Sequence, residues 1–196
     1  MKLAAMIAIT VMVGASAQGK AGTGRQVTVY CRGNAIVPVT VMAPAKSLAA
    51  DMFANIGVTL QWRSGKPSQS EADAIVIEFV TGAPAAFKPG VLASALPYEG
   101  VHIRIFWDRI AAYPCARKLL AHVIVHEITH ILQGFAQHSD EGIMKAHWTG
   151  YDRSSMIAKP LRFTPADVTV IYMGMDARCA HPSRAESNDL EGAKLQ

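Results

Sequence analysis

Two histidines and a glutamate, His126, Glu127 and His130, stand in the order H-E-x-x-H inside the run Ala121-His122-Val123-Ile124-Val125-His126-Glu127-Ile128-Thr129-His130. The run is strongly apolar and free of glycine and proline, so it reads as a helix. At about 3.6 residues per turn, His126 and His130 fall one turn apart on one face, where both imidazoles can reach a single metal ion at about 2 Å. Glu127 is turned about 100° from His126. From there its carboxylate can reach a water at such a metal without becoming a ligand, which is what a metal-dependent hydrolase needs of its general base. The bland alternative is a buried helix that happens to carry histidines. It is disfavoured because imidazoles and a carboxylate are costly to bury without a metal or hydrogen-bond partners. His122 shares the spacing but no glutamate follows it, so it reads as a residue that packs or hydrogen-bonds beneath the site.

The elements that must position this helix are legible around it. Residues 26–31 alternate and are β-branched, and residues 36–42 do something similar after the turn signal Arg32-Gly33-Asn34, so both read as strand, arranged as a hairpin. Residues 43–56 place Leu48, Met52 and Phe53 at helical spacing and end at Gly57. Strands follow at 58–62 and 72–80, separated by a polar loop with Gly65 and Pro67. A short extended segment at 92–96 precedes a strictly alternating strand at 101–107. Pro114 then breaks the chain, and the histidine-bearing helix runs from about Cys115 to Gln133 with Gly134 as its stop. Thr164-Pro165-Ala166-Asp167 opens a last helix, through Met173, with a hydroxyl cap, a proline in the first turn and an acid three residues on. The order predicts an α/β fold, a sheet with helices against it.

Lys2, the apolar stretch 3–13 and Gly14-Ala15-Ser16-Ala17 have the layout of a secretory signal peptide over residues 1–17. A mature chain beginning near Gln18 is therefore expected to be secreted, periplasmic or extracellular. No later segment offers about 18 uninterrupted apolar residues, so no membrane span is expected. Residues 18–180 read as a single domain, expected as a monomer, and the polar residues 181–196 as a flexible tail. The net charge of +4 is mild and unclustered, which gives no case for a nucleic-acid partner. Three separated cysteines, Cys31, Cys115 and Cys179, would give one disulfide and one free thiol in an oxidising compartment, with the pairing open.

Several of these segments together resemble one family. The H-E-x-x-H helix ending at a glycine, the following His138-Ser139 and the methionine in Gly142-Ile143-Met144 resemble the third-ligand turn and Met-turn of the metzincin zinc endopeptidases, and among them the matrixin-like catalytic domain. Leu92-Ala93-Ser94-Ala95-Leu96-Pro97 resembles the family's antiparallel edge strand, which lines the cleft and pairs with an extended substrate. The resemblance spans residues 26–178 and is specific from 92 to 144. It implies a twisted mixed sheet with an antiparallel edge strand, an active-site helix and a C-terminal helix. It also implies zinc held by His126, His130 and His138, Glu127 as the catalytic base, Ala93, Ser94 and Ala95 as substrate-binding backbone, and Met144 as the Met-turn residue.

There is one departure. The family pattern is H-E-x-x-H-x-x-G-x-x-H, whereas Gly134 comes four residues after His130 and His138 four after Gly134, one residue more in each interval. An extra helical residue rotates the exit of the chain by about 100°. Asp140, Glu141, His147 and Asp152 therefore stand as alternatives to His138. Tyr151 has the wrong spacing after Met144 to supply a phenol to the metal and reads as structural. The function expected is a zinc endopeptidase acting on a peptide or protein. The rivals are a secreted zinc-binding protein without turnover and a zinc amidohydrolase acting on cell-wall peptide.

Overall fold

Among the described residues, five strands form one sheet: β1 (Arg25–Arg32), β2 (Val58–Arg63), β3 (Ile75–Val80), β4 (Ala93–Ala95) and β5 (His102–Phe106), in the order β2-β1-β3-β5-β4. The computed structural model describes residues 24–97 and 100–180, so the expected signal peptide and C-terminal tail lie outside the described residues. β1, β2, β3 and β5 are parallel, and β4 alone runs antiparallel, on the edge beside β5. The alternation of β1 sorts its side chains. Val27, Val29 and Cys31 enter the main core, while Tyr30 packs with Ala74 and Val76 on the opposite face.

Among the described residues, five α-helices complete the domain: α1 (Val39–Ala54), α2 (Trp107–Ala111), α3 (Ala116–Gln133), α4 (Gly150–Ala158) and α5 (Pro165–Ala180). α3 is the centre of the structure, in contact with α1, α5, β4 and β5. Every residue from Leu119 to Gln133 is buried. A helix apolar nearly all round must be covered on all sides, and this one is. Its C-terminus is closed by Gly134, whose φ of 79° is the left-handed conformation glycine adopts without strain, and whose N–H bonds His130 O at 3.0 Å. α5 crosses α3 very closely. A Cβ built on Gly174 would lie 1.9 Å from Leu132 O, so only glycine permits this approach.

Two expectations are corrected. Residues 36–42 are not a strand. A 3-10 turn at Asn34–Ile36 leads to Pro38, and α1 starts at Val39. Pro38 holds φ −54° and ψ 137° at the cap, and its carbonyl accepts from the amides of Val41 and Met42. The β-branched residues Val39, Thr40 and Val41 favour a strand locally. Burial of Met42, Ala45, Ala49, Met52 and Phe53 along one helical face overrides that preference. The expected disulfide is also absent: Cys31 is a buried thiol, Cys115 half-buried at the start of α3, and Cys179 exposed near the end of α5. Helix α4, unforeseen from the sequence, is opened by a capping box between Thr149 and Asp152. Among the described residues, no helix is long and apolar enough to cross a membrane.

Candidate metal centre

α3 places His126 and His130 one turn apart, with their Nε2 atoms 3.0 Å from each other. The chain then leaves Gly134 through an exposed loop and returns His138, so that ring nitrogens of all three histidines lie within 4.8 Å of one another. The His138 ring stacks on His126 at 5.3 Å and meets His130 edge-on at 4.8 Å between centroids. Nδ1 of His126 lies 2.9 Å from Ile143 O. A carbonyl only accepts, so the proton sits on Nδ1 and Nε2 presents its lone pair toward the other two rings. Burial holds His126 down at about 4 and, with its neighbouring imidazoles, His130 at about 3. Burial first, and then His147, lowers His138 as well. All three are neutral near pH 7. Three converging neutral imidazoles are the donor set of a catalytic zinc site, with a fourth position left over, so the residues present fit zinc.

The alternatives to His138 fall outside this cluster. The Asp152 carboxylate is committed to Lys145 Nζ at 2.7 Å and to the Thr149 amide and hydroxyl at 2.7 and 2.8 Å. These donors, Lys145 foremost, draw its pKa down to about 2. Asp140, Glu141 and His147 are exposed, and none belongs to the three-histidine group.

Long-range bonds shape the returning loop. Ser139 N–H donates to Met144 O at 2.8 Å and Ile143 N–H to Arg162 O at 2.9 Å. Gly142, at φ 73°, passes so close to Arg162 that a Cβ would sit 2.3 Å from its carbonyl oxygen. Ile143 and Met144 are wholly buried. Met144 therefore anchors the turn in the core, one residue beyond the carbonyl that orients His126.

Glu127 is 8% exposed, and burial pushes its carboxyl up to about 8 against the opposing effect of a hydrogen bond from the Ala95 backbone. That bond ties α3 to the edge strand. Flanking β4, the Leu92 carbonyl accepts from the Phe106 amide and the Leu96 amide donates to the His102 carbonyl, and Ser94 pairs with Arg104 between them. The antiparallel pattern turns the backbone groups of Ala93 and Ala95 away from β5, toward the open edge. The Ala95 amide thus reaches Glu127, next to His126 on α3.

Other residues of the site were invisible to spacing. Trp148 stands edge-on to His126, 5.4 Å between centroids. The Ile143 carbonyl and the Asp167 carboxylate also act on this region from far along the chain. His122 is fully engaged: Nδ1 donates to Lys118 O at 2.7 Å and Nε2 accepts from Leu161 N–H at 3.1 Å. Tyr151 is 82% exposed on the first turn of α4.

No protein-family model matches this sequence, and no curated protein matches it in sequence. Its structure does find a counterpart. The crystal structure of archaemetzincin from Methanopyrus kandleri, at 1.5 Å, aligns with a TM-score of 0.51 over 80% of this chain and 98% of that one, at 10% identity. The fold is metzincin-like. At that identity the likeness is one of architecture, and the chemistry must be argued from the side chains themselves. In this metzincin-like frame the mixed sheet, its antiparallel edge strand β4 and the helix α3 frame a three-histidine cluster able to bind zinc.

Proposed function

We propose that the protein is a secreted, zinc-dependent endopeptidase. The observation that carries this reading is Glu127: a buried carboxyl beside three converging imidazoles, bonded to the backbone of an edge strand. A purely structural zinc site has no use for such a group. Zinc, when bound, supplies a Lewis acid that acidifies a water and polarises a carbonyl. His126, His130 and His138 would hold it as neutral ligands. Glu127 takes the proton of the attacking water and hands it to the leaving amine, a role worth about 10²–10⁴-fold in rate. The positive charge of a zinc ion held there would favour the Glu127 carboxylate and offset the effect of burial. β4 receives the substrate by strand addition through the backbone of Ala93 and the carbonyl of Ala95, whose amide is held by Glu127, so recognition depends in part on backbone alone. The finer, matrixin-like assignment rests on Gly134, His138 and Met144 in that order. The secreted assignment rests on residues 1–17.

The test is incubation of the zinc-loaded chain from residue 18 onward, and of its Glu127→Gln variant, with a diverse peptide library read for new termini by mass spectrometry. Cleavage by the unmodified chain alone supports the reading. Binding of one zinc without cleavage by either protein points instead to a zinc-binding protein without turnover or to an amidohydrolase of narrow specificity, which cell-wall peptide would reveal.

A further inference from the structure

We propose that Ser139 and Asp167 are positioning residues of the metal centre: their hydrogen bond fixes the loop that carries His138 to the rigid α3–α5 pair. The inference rests on the reading of His126, His130 and His138 as metal ligands. The two histidines of α3 are buried and held by the helix itself, whereas His138 is exposed and follows an exposed stretch from Gly134. Its placement is decided at the next residue. Ser139 donates its hydroxyl to Asp167 Oδ1 at 2.5 Å, and its amide is taken by Met144 O. Residue 139 is therefore pinned both through its side chain and through its backbone.

Asp167 is suited to this part. It is 4% exposed, in the first turn of α5, and its second oxygen accepts the Thr164 amide at 2.8 Å. Both oxygens therefore face donors. Capping α5 requires only Oδ2. Oδ1 is turned across 28 residues of sequence to the ligand loop. Further along α5, Gly174 locks that helix against α3 at Leu132, so the path from His130 through α3, α5, Asp167 and Ser139 to His138 runs through close contacts throughout. Partners of this kind around metal ligands typically change metal affinity by about 10–100-fold.

The experiment uses the full chain and reads zinc affinity by competition with a chelator and the visible spectrum of the cobalt-substituted site. Ser139→Ala, which removes one hydroxyl, is expected to bind zinc about 10–100-fold more weakly and to alter the cobalt bands. Ser139→Thr keeps the hydroxyl and restores both. Asp167→Asn retains a capping acceptor but loses the charge, and weakens zinc to a similar degree. Thr164→Ala disturbs the same cap without touching Ser139, so it lowers Tm and leaves zinc affinity of the folded protein unchanged. Ser139→Ala with wild-type affinity and spectrum overturns the proposal. An unmodified chain that binds no zinc overturns the three-histidine reading on which it stands.

Discussion

The two halves of the candidate site are built in opposite ways. His126, Glu127 and His130 sit on one buried helix, and their relative placement follows from helical geometry over five residues. His138 and Met144 sit in a loop whose shape comes from partners far along the chain: Asp167 for Ser139, Arg162 for Ile143 and Gly142, and His126 for the Ile143 carbonyl. The helical half is secured by the core, so disturbing it threatens the whole fold. The loop half is secured by a few specific bonds, so it can fail while the fold survives.

Two glycine substitutions test that contrast directly. Gly174→Ala drives a methyl into the backbone of α3, and neither helix can yield locally. A loss of about 3 kcal/mol in unfolding free energy is expected, at the upper end of ordinary overpacking, with near-normal zinc affinity in the molecules that remain folded. Gly142→Ala meets the Arg162 carbonyl and forces alanine into a left-handed conformation, whose own cost is about 1–2 kcal/mol. Here the expected outcome is the reverse emphasis, with a smaller fall in stability and a larger fall in zinc affinity. Chemical denaturation and zinc titration of both variants decide the matter. Equal effects on both readouts would break the distinction between the two halves.

Acid should sharpen it. Asp152 joins Lys145, next to Met144, to the cap of α4, and its carboxyl is held down at about 2 from an ordinary 3.8. A depressed folded value means that its stabilising contribution is complete above about pH 4 and is lost as pH falls toward 2. Asp152→Asn is expected to lower Tm at neutral pH, and the gap from the unmodified, metal-free protein should close by pH 2. A gap that stays constant across that range would remove Asp152 from the account. The smallest effect is expected at Tyr151: exposed on α4, its change to Ser should alter stability by less than about 0.5 kcal/mol and leave zinc binding as it was. A clear loss of zinc or of cleavage would bring Tyr151 into the site.

Much of the frame was legible because its signals are local. The β-branched alternation of β1, the alternating run of β5, Gly134 at the end of α3 and the Thr164–Asp167 cap each depend on neighbours in sequence. The errors fall where local preference met tertiary packing. Val39, Thr40 and Val41 favour a strand but entered α1, because Met42, Ala45 and Ala49 gained a helical face to bury. The cysteine count pointed to a disulfide, but β1, α3 and α5 place the three thiols apart. Thr149 and Asp152 carry a capping signal for α4 that the absence of a strong apolar period after it masks.

The sequence by itself determined the helical half of the site, because i, i+4 spacing on a helix is a matter of backbone geometry and nothing distant can change it. Which residue completes the cluster was a tertiary decision. With one extra residue on each side of Gly134, spacing left His138, Asp140, Glu141, His147 and Asp152 as candidates. Asp152 was drawn away by Lys145 and Thr149, and His138 was brought in by the bonds at Ser139. Those bonds join residues that meet only once α5 has docked on α3, and no local pattern encodes such a meeting.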